Sequence, residues 1–208
     1  MTAGWPWRSR PLPLWLAWTL VNSVGAGLAG LIQGTLFIDP AGGSLPLLGP
    51  LLSAPIVGIL QGLAIRSRLG RGKDWALATA IGMVLGMAVG GLFLFIALQL
   101  MQRLAAGNIL LVLMGLPIAA GVQGWVQSRV LRSRLARPSL WIGVCALAWL
   151  INFVPLLVVG ISTLGLAQQS LPGFWALNGL VSGAVVGLVS GTGLGILLAE
   201  GRSPTEDR

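Results

Sequence analysis

Charged residues are scarce in this 208-residue chain: only 9% of the residues are Asp, Glu, Lys or Arg, whereas 55% are hydrophobic. A water-soluble domain carries about 25% charged residues, so this chain lacks the groups needed to cover a water-facing surface. Its mean hydropathy of +0.89 matches lipid instead. The composition therefore predicts an integral membrane protein, with residues 1–208 forming a single membrane domain.

Histidine and tyrosine are absent, and Cys145 is the only cysteine. A single cysteine cannot form an intramolecular disulfide, and Cys145 lies in an apolar run where a free cysteine usually serves as a small packing residue. Without histidine, the usual ligand for haem or structural zinc is missing. We therefore expect no metal site and no cofactor.

No Asp, Glu, Lys or His lies in the middle of any apolar run. Proton-coupled carriers and pumps usually keep such a group at depth, because it carries the proton. The sequence also contains no carboxylate pair, nucleophile–base arrangement or phosphate-binding loop, so an enzyme would have only amides and hydroxyls for its chemistry. We expect a protein without catalytic residues that is not an enzyme.

Six apolar runs of about 20 residues predict transmembrane helices. They cover about residues 14–37, 48–65, 75–100, 109–131, 140–164 and 174–199. A cleaved signal peptide is the alternative for the first run, because Arg8 and Arg10 precede it. That run is long for a signal peptide, however, and its glycine spacing matches the other runs. The predicted fold is an all-α, polytopic transmembrane bundle of about six helices.

The basic residues predict how the helices face. With six spans, twelve of the 13 Lys and Arg residues fall on one side of the membrane, and only Arg103 falls on the other. The positive-inside rule then places the basic loops and both termini in the cytoplasm, for a multi-pass protein of the plasma or thylakoid membrane. The net charge of +8 predicts contacts with membrane lipids through their anionic headgroups, and not nucleic-acid binding.

The chain repeats itself at an offset of 66 residues. The aligned pairs include Gln61 and Gln127, Arg66 and Arg132, Arg68 and Arg134, Arg71 and Arg137, and Trp75 and Trp141. One more step from Arg132 reaches Leu198, where the last run ends and the third copy has lost its Gln and Arg residues. The repeating unit is therefore a two-helix hairpin used about three times, with copies related by an axis along the membrane normal.

Glycines follow one another at four-residue spacing in several runs, which places them on one helical face. The two longest series, which we predict to be helix-packing positions of a glycine zipper, are Gly179, Gly183, Gly187, Gly191 and Gly195, and Gly82, Gly86 and Gly90. Small-residue faces bring helix backbones into close contact in lipid. Three interpretations stay open: packing within the chain, packing against another membrane protein, or a smooth wall for a flat apolar molecule.

A few amides lie within the apolar runs. Gln61 and Gln127 each precede an arginine by five residues, and an amide there can bridge helices or contact a ligand. Asn22 and Asn152 both fall near mid-membrane, and Trp149 lies one turn before Asn152. We predict that any buried polar site is built from these five residues.

The unit Gly-x-x-Gln-x-x-x-Ile/Leu-Arg starts at Gly58 and again at Gly124, each time followed by a short basic loop and a tryptophan. It resembles a group of small Gly- and Trp-rich polytopic integral membrane proteins of cyanobacterial type. In that group Trp commonly follows the amide, where this chain has Gly62 and Ser128. The group has no assigned biochemical role, so the resemblance over spans two to five implies a fold and a cyanobacterial membrane, and no functional residue.

Two functions are compatible with these features. The leading hypothesis is a non-catalytic accessory, assembly or scaffold protein that packs against other membrane proteins through its glycine-rich helix faces. The alternative is a passive protein that binds or transports a small solute, similar in size and helix number to the substrate-binding subunits of vitamin importers. A polar pocket lined by Asn22, Asn152 and Trp149 would favour the alternative, whereas glycine faces turned toward lipid would favour the leading hypothesis.

Overall fold

The computed structural model of the chain describes residues 12–36, 48–104, 114–162 and 171–200. Within these ranges the chain forms six helices and no strand, which confirms the predicted all-helical fold. The helices are α1 (Leu14–Leu36), α2 (Leu48–Leu69), α3 (Gly72–Leu104), α4 (Gly115–Leu131), α5 (Leu140–Ser162) and α6 (Leu171–Glu200).

Each predicted span coincides with one helix, but the helix ends do not always follow the apolar runs. Helix α2 continues past Ile65 to Leu69, because the intervening arginines are good helix formers. It ends at Gly70, whose φ of 69° is left-handed and whose N–H donates to the Arg66 carbonyl oxygen at 2.9 Å. Residues 37, 109–113, 163 and 164 of the predicted spans lie outside the described ranges.

Three helices in the described ranges are long and apolar enough to cross a membrane. Their apolar stretches are Leu14–Thr35 in α1, Gly72–Leu100 in α3 and Pro172–Glu200 in α6, with mean hydropathies of 1.4, 2.4 and 1.9. The apolar part of α5, Leu140–Pro155, is shorter. These lengths support a membrane-embedded protein, while a passage of all six helices through the bilayer stays a prediction.

The helices form a closed ring in which each one packs against its two neighbours in sequence and α6 returns to α1. Three neighbouring pairs run antiparallel, because residue numbers rise along one helix as those of the facing residues fall. The contacts are Gly58 with Ala76 and Gly62 with Gly72, Gly82 with Gln123 and Gly90 with Gly115, and Gly179 with Ala26 and Gly187 with Thr19. The α2–α3 and α4–α5 turns therefore lie at the same end of the ring. We call this the basic end, because eight of the chain's basic residues lie there: Arg66, Arg68, Arg71, Lys73, Arg129, Arg132, Arg134 and Arg137.

The packed hydrophobic core lies close to the basic end. Most of its buried members come from the last two turns of α2, α4 and α6 and from the first two turns of α1, α3 and α5, while Ala120 lies near the start of α4 and Leu135 between α4 and α5. The largest are Trp18, Ile65, Trp75, Leu131, Trp141 and Leu194, each at most 1% exposed. One end of the ring is thus filled with side chains, which leaves room for a cavity only farther along the helices.

The glycine series of α6 packs inside the chain, along α1. A Cβ at Gly179 or Gly183 would collide with the carbonyl oxygen of Ala26 or Asn22, and at Gly187 it would lie 2.8 Å from the Thr19 Cα atom. A Cβ at Gly191 would lie 2.9 Å from the Cδ1 atom of the Trp18 side chain. Such close approach is possible only without a side chain, and it makes α1–α6 the most extensive helix contact of the ring.

The glycine series of α3 is covered as well, by α4. Gly86 lies against the Ala119 carbonyl oxygen, and a Cβ at Gly90 would lie 2.6 Å from the Gly115 carbonyl oxygen. Gly82 meets the backbone of Gln123. Of the eight predicted packing glycines, only Gly195 has room for a Cβ with no described atom within 4 Å.

Large apolar side chains cover the outside of the ring. On α1, Leu20, Val24, Leu28 and Leu31 follow one helical face and are 41–48% exposed. Comparable faces run along α3 and α5, where Leu92, Phe95, Val154 and Val158 are 59–65% exposed. A water-soluble protein rarely exposes so much contiguous apolar surface, so this outer face fits hydrocarbon.

Candidate binding cavity

Three tryptophans meet on the ring axis near the basic end. Trp18, Trp75 and Trp141 come from the first turns of α1, α3 and α5 and are at most 1% exposed. Their ring centroids are 5.4, 5.9 and 6.4 Å apart, in edge-to-face orientations that aromatic rings favour. We call this cluster the tryptophan triangle; it closes the basic end of the interior.

Each indole N–H of the triangle donates to a polar side chain on the preceding helix of the ring. Trp75 Nε1 donates to Gln61 Oε1 at 3.1 Å, and Trp141 Nε1 donates to Gln127 Oε1 at 2.9 Å. Trp18 Nε1 donates to Ser190 Oγ on α6 at 3.0 Å. The repeat therefore has three structural copies, formed by α2 with α3, α4 with α5, and α6 with α1.

A second polar residue follows each tryptophan by one turn, at Asn22, Thr79 and Cys145. Thr79 Oγ1 and Cys145 Sγ approach the same glutamine oxygens as the indoles, at 3.1 and 3.9 Å. Gln61 Nε2 donates onward to Asn22 Oδ1 at 2.7 Å, and Gln127 Nε2 donates to Thr79 Oγ1 at 2.8 Å. A continuous hydrogen-bonded chain thus links α1 through α5 around the axis.

The circle of hydrogen bonds stays open between α5 and α6. Ser190 Oγ donates to the Val186 carbonyl oxygen within its own helix at 2.6 Å, and Cys145 turns to Gln127. Among the described residues, no side-chain hydrogen bond joins these two helices, and their contact is the least extensive of the neighbouring pairs. The third copy is therefore the irregular one.

A cavity of about 390 Å³ continues from the triangle toward the other end of the ring, with walls from all six helices. On α1 its lining runs from Trp18 to Gln33, which corresponds to about 22 Å at the rise of an α-helix. Trp141, Trp149 and Trp175 also line it. The size falls in the range of small-molecule sites in proteins.

The lining is mostly apolar and carries several amides. Its amide side chains are Asn22, Gln33, Gln61, Gln123, Gln127 and Asn178, and none of the described residues that line it is Asp, Glu, Lys or Arg. Two of its polar atoms, Trp175 Nε1 and Asn178 Oδ1, are buried and have no hydrogen-bond partner in the described ranges. Burying a polar atom without a hydrogen-bond partner costs free energy. These two atoms therefore mark the part of the cavity wall where a ligand could form hydrogen bonds.

The structure brings together four of the five predicted polar-site residues. Asn22, Gln61 and Gln127 belong to one hydrogen-bonded chain, and all three line the cavity with Trp149. Asn152 does not line it: the side chain is fully buried, and both of its amide atoms lack a partner. The five residues therefore do not form a single site.

Several contributors were not predicted from the sequence. Thr79 lies 66 residues before Cys145, so the repeat offset pointed to it. Trp18 and Ser190 carried no such signal, because Trp18 lies 57 residues before Trp75 and the 66-residue step from Gln127 reaches Gly193. Trp175 and Asn178 become candidates only because the atoms Trp175 Nε1 and Asn178 Oδ1 are buried. In the described ranges no group of three His, Cys, Asp or Glu side chains could hold a metal ion.

Neither a protein-family model, nor a curated protein, nor a solved structure matches this chain. The cavity and its lining are therefore the basis on which a function can be inferred.

Proposed function

We propose that this protein is a multi-pass membrane protein that holds a small, uncharged molecule in its central cavity, as a solute-binding or passive transport protein. The observation that carries the proposal is a cavity of about 390 Å³ walled by all six helices, with buried polar atoms that have no hydrogen-bond partner among the described residues. Concave, mostly apolar sites with a few placed polar groups are typical of small-molecule binding.

The occupant is uncharged because none of the described lining residues carries a charge that could neutralise an ion. An ion in such a site would lose its hydration and gain only amide and indole contacts, which costs several kcal/mol. The same lining favours binding without catalysis. It offers the hydroxyls of Ser182 and Ser190 and the thiol of Cys145, with no base beside them.

The accessory or scaffold role predicted from the glycines stays a second, weaker proposal. The glycines on which it relied lie against α1 and α4 of the same chain, apart from Gly195. A partner protein would need another surface. The glycine zipper is thus better explained as the device that brings α6 against α1 and so closes the ring.

The basic end is proposed to face the cytoplasm of a plasma or thylakoid membrane of cyanobacterial type, with both termini on that side. Support comes from a groove of about 540 Å³ between α2 and α3. It is lined by the exposed side chains of Ile59 and Leu63 and by Arg66, Arg71, Lys73 and Asp74, and Arg71 forms an ion pair with Asp74 at 3.0 Å. An apolar groove with three basic residues and one acidic residue fits the acyl chain and headgroup of an anionic lipid.

The test is purification from the native membrane in nanodiscs, followed by mass spectrometry of extracted small molecules and co-purifying proteins. We expect one uncharged compound that is absent from nanodiscs of the same lipids without the protein. Ala29→Phe fills the cavity and should remove this compound, whereas Ala88→Phe on the exposed face of α3 should retain it. A stable protein partner without any enriched compound would reject the binding proposal and favour the scaffold.

A further inference from the structure

Two buried polar atoms on α6 define one wall of the cavity. Trp175 Nε1 is a hydrogen-bond donor and Asn178 Oδ1 is an acceptor, and neither has a partner within the part of the chain that the structure describes. The residues are three positions apart, so they lie on the same helical face, and both side chains line the cavity. A molecule that forms a hydrogen bond with each atom must carry both an acceptor and a donor.

This part of α6 is held firmly in place by α1. The Trp175 carbonyl oxygen lies where a Cβ of Gly30 would be, and the Gly179 position meets the Ala26 carbonyl oxygen in the same way. Two backbone contacts without intervening side chains leave the turn between them little freedom to rotate away. The backbone that carries the donor and the acceptor is therefore in place before any ligand arrives, which lowers the entropy cost of binding.

The rest of the cavity selects for shape and charge. Trp18, Trp141, Trp149 and Trp175 all present indole surface to it, and aromatic faces favour flat partners. No ionisable carboxylate, amine or guanidinium lines it, so a charged molecule would be desolvated without compensation.

We propose that the occupant is a neutral, flat molecule with a cis-amide edge, as in a lactam or an imide, in which C=O and N–H lie side by side. Its carbonyl oxygen accepts from Trp175 Nε1 and its N–H donates to Asn178 Oδ1. The planar body extends from this edge along the tryptophan-lined cavity toward the tryptophan triangle. This assignment of a ligand class rests on the binding function proposed above.

The experiment compares two probes of equal ring number in nanodiscs: phenanthridinone, a tricyclic lactam, and phenanthrene, the hydrocarbon without its donor and acceptor. Binding is followed by quenching of tryptophan emission, with protein-free nanodiscs as the blank. Trp175→Phe removes the indole N–H and the second ring while keeping an aromatic side chain, and Asn178→Leu replaces the amide by an apolar group of similar size. Trp125→Phe is the matched control, because Trp125 is exposed on α4 and outside the cavity.

We expect the wild type to prefer the lactam by about tenfold beyond its lipid partitioning, since two neutral hydrogen bonds are gained in a dry site. Each α6 variant should lower that preference severalfold, whereas Trp125→Phe should leave it unchanged. Because every preference is a ratio measured in the same lipid, differences in partitioning between the two probes cancel between variants.

Equal binding of both probes, or a preference that survives in both α6 variants, would overturn the ligand class while leaving the cavity-binding function intact. Binding of neither probe by the wild type would also overturn it. In that case, recovery of a cavity-dependent compound from the native membrane decides separately whether the binding function stands.

Discussion

The side-chain oxygen of Gln127 accepts a hydrogen bond from the Trp141 indole at 2.9 Å, between two residues that are almost completely buried. The same oxygen and the neighbouring amide nitrogen also contact Cys145 and Thr79. One glutamine thus joins α3, α4 and α5. Contacts of this kind determine which substitutions the ring can tolerate.

Replacing Gln127 by Leu should lower the free energy of unfolding by about 1–3 kcal/mol, because the Trp141 N–H loses its acceptor in a dry interior. The measurement is equilibrium unfolding in bicelles or micelles. In a double-mutant cycle with Trp141→Phe, the combined loss should be smaller than the sum of the single losses. Strict additivity of the two changes would show that the hydrogen bond contributes nothing to stability.

Gly183→Ala should destabilise the α1–α6 contact by about 1–3 kcal/mol, because the added methyl group meets the Asn22 carbonyl oxygen. Gly195→Ala is the matched control on the same helix, where the methyl group meets no described atom within 4 Å. The control should be neutral or stabilising by up to about 1 kcal/mol, owing to the better helix propensity of Ala. Thermal unfolding in detergent compares them, and equal behaviour of the two variants would contradict this packing.

Thr79→Val should destabilise the protein by about 1–2 kcal/mol, because the Thr79 hydroxyl donates to Gln61 at 3.1 Å and accepts from Gln127 at 2.8 Å. Thr19→Val provides the control, since the Thr19 hydroxyl donates only to the Trp15 carbonyl oxygen of its own helix, at 2.7 Å, and Val keeps the branched shape of Thr. Its unfolding free energy should change by less than about 0.5 kcal/mol. A larger effect at Thr19 than at Thr79 would argue against a structural role for the buried chain of hydrogen bonds.

Asn152→Leu should be neutral or stabilising, because both polar atoms of the Asn152 side chain are buried without partners. Asn22→Leu should destabilise, since Asn22 Oδ1 accepts from Gln61 at 2.7 Å. Unfolding of the two purified variants in lipid-free detergent tests the contrast. If Asn152→Leu proves as damaging as Asn22→Leu, the Asn152 amide has a hydrogen-bond partner outside the described residues.

Cysteine labelling tests the orientation of the ring. In a Cys145→Ser background, Arg71→Cys and Arg137→Cys should react with a membrane-impermeant maleimide only after the cytoplasmic side is exposed, because both turns lie at the basic end. Met114→Cys at the opposite end should react from the outside, since Met114 is 43% exposed. Labelling of Arg71→Cys and Arg137→Cys from opposite sides would rule out the six-span topology.

The sequence predicted those features of the fold that depend on neighbouring residues in the chain. Apolar runs located the helices, the arginine asymmetry indicated which turns share an end, and the 66-residue offset identified Gln61 and Gln127 as equivalent. Helix boundaries were less accurate, because Arg66 and Arg68 prolong α2 beyond its apolar run until Gly70 ends it.

The closure of the ring was not predictable from the repeat. The third copy combines α6 with α1, and neither Trp18 nor Ser190 falls in the 66-residue register. The cavity depends on that closure, since α1 and α6 contribute most of its lining. Asn152 was predicted as a site residue because it is an amide in the middle of a helix. Its side chain is fully buried and does not line the cavity.

The pairing of α1 with α6 also has a consequence for biogenesis. The ribosome makes α1 first of the described helices and α6 last, so the broadest interface of the fold cannot assemble until translation has passed Glu200. Until then the backbone of α1 around Ala26, which the glycines later cover, faces lipid or the insertion machinery. A chain truncated before Leu171 lacks α6, so its ring of helices should remain open and sensitive to proteases. Pulse-chase measurement of the degradation of such truncated chains would test this.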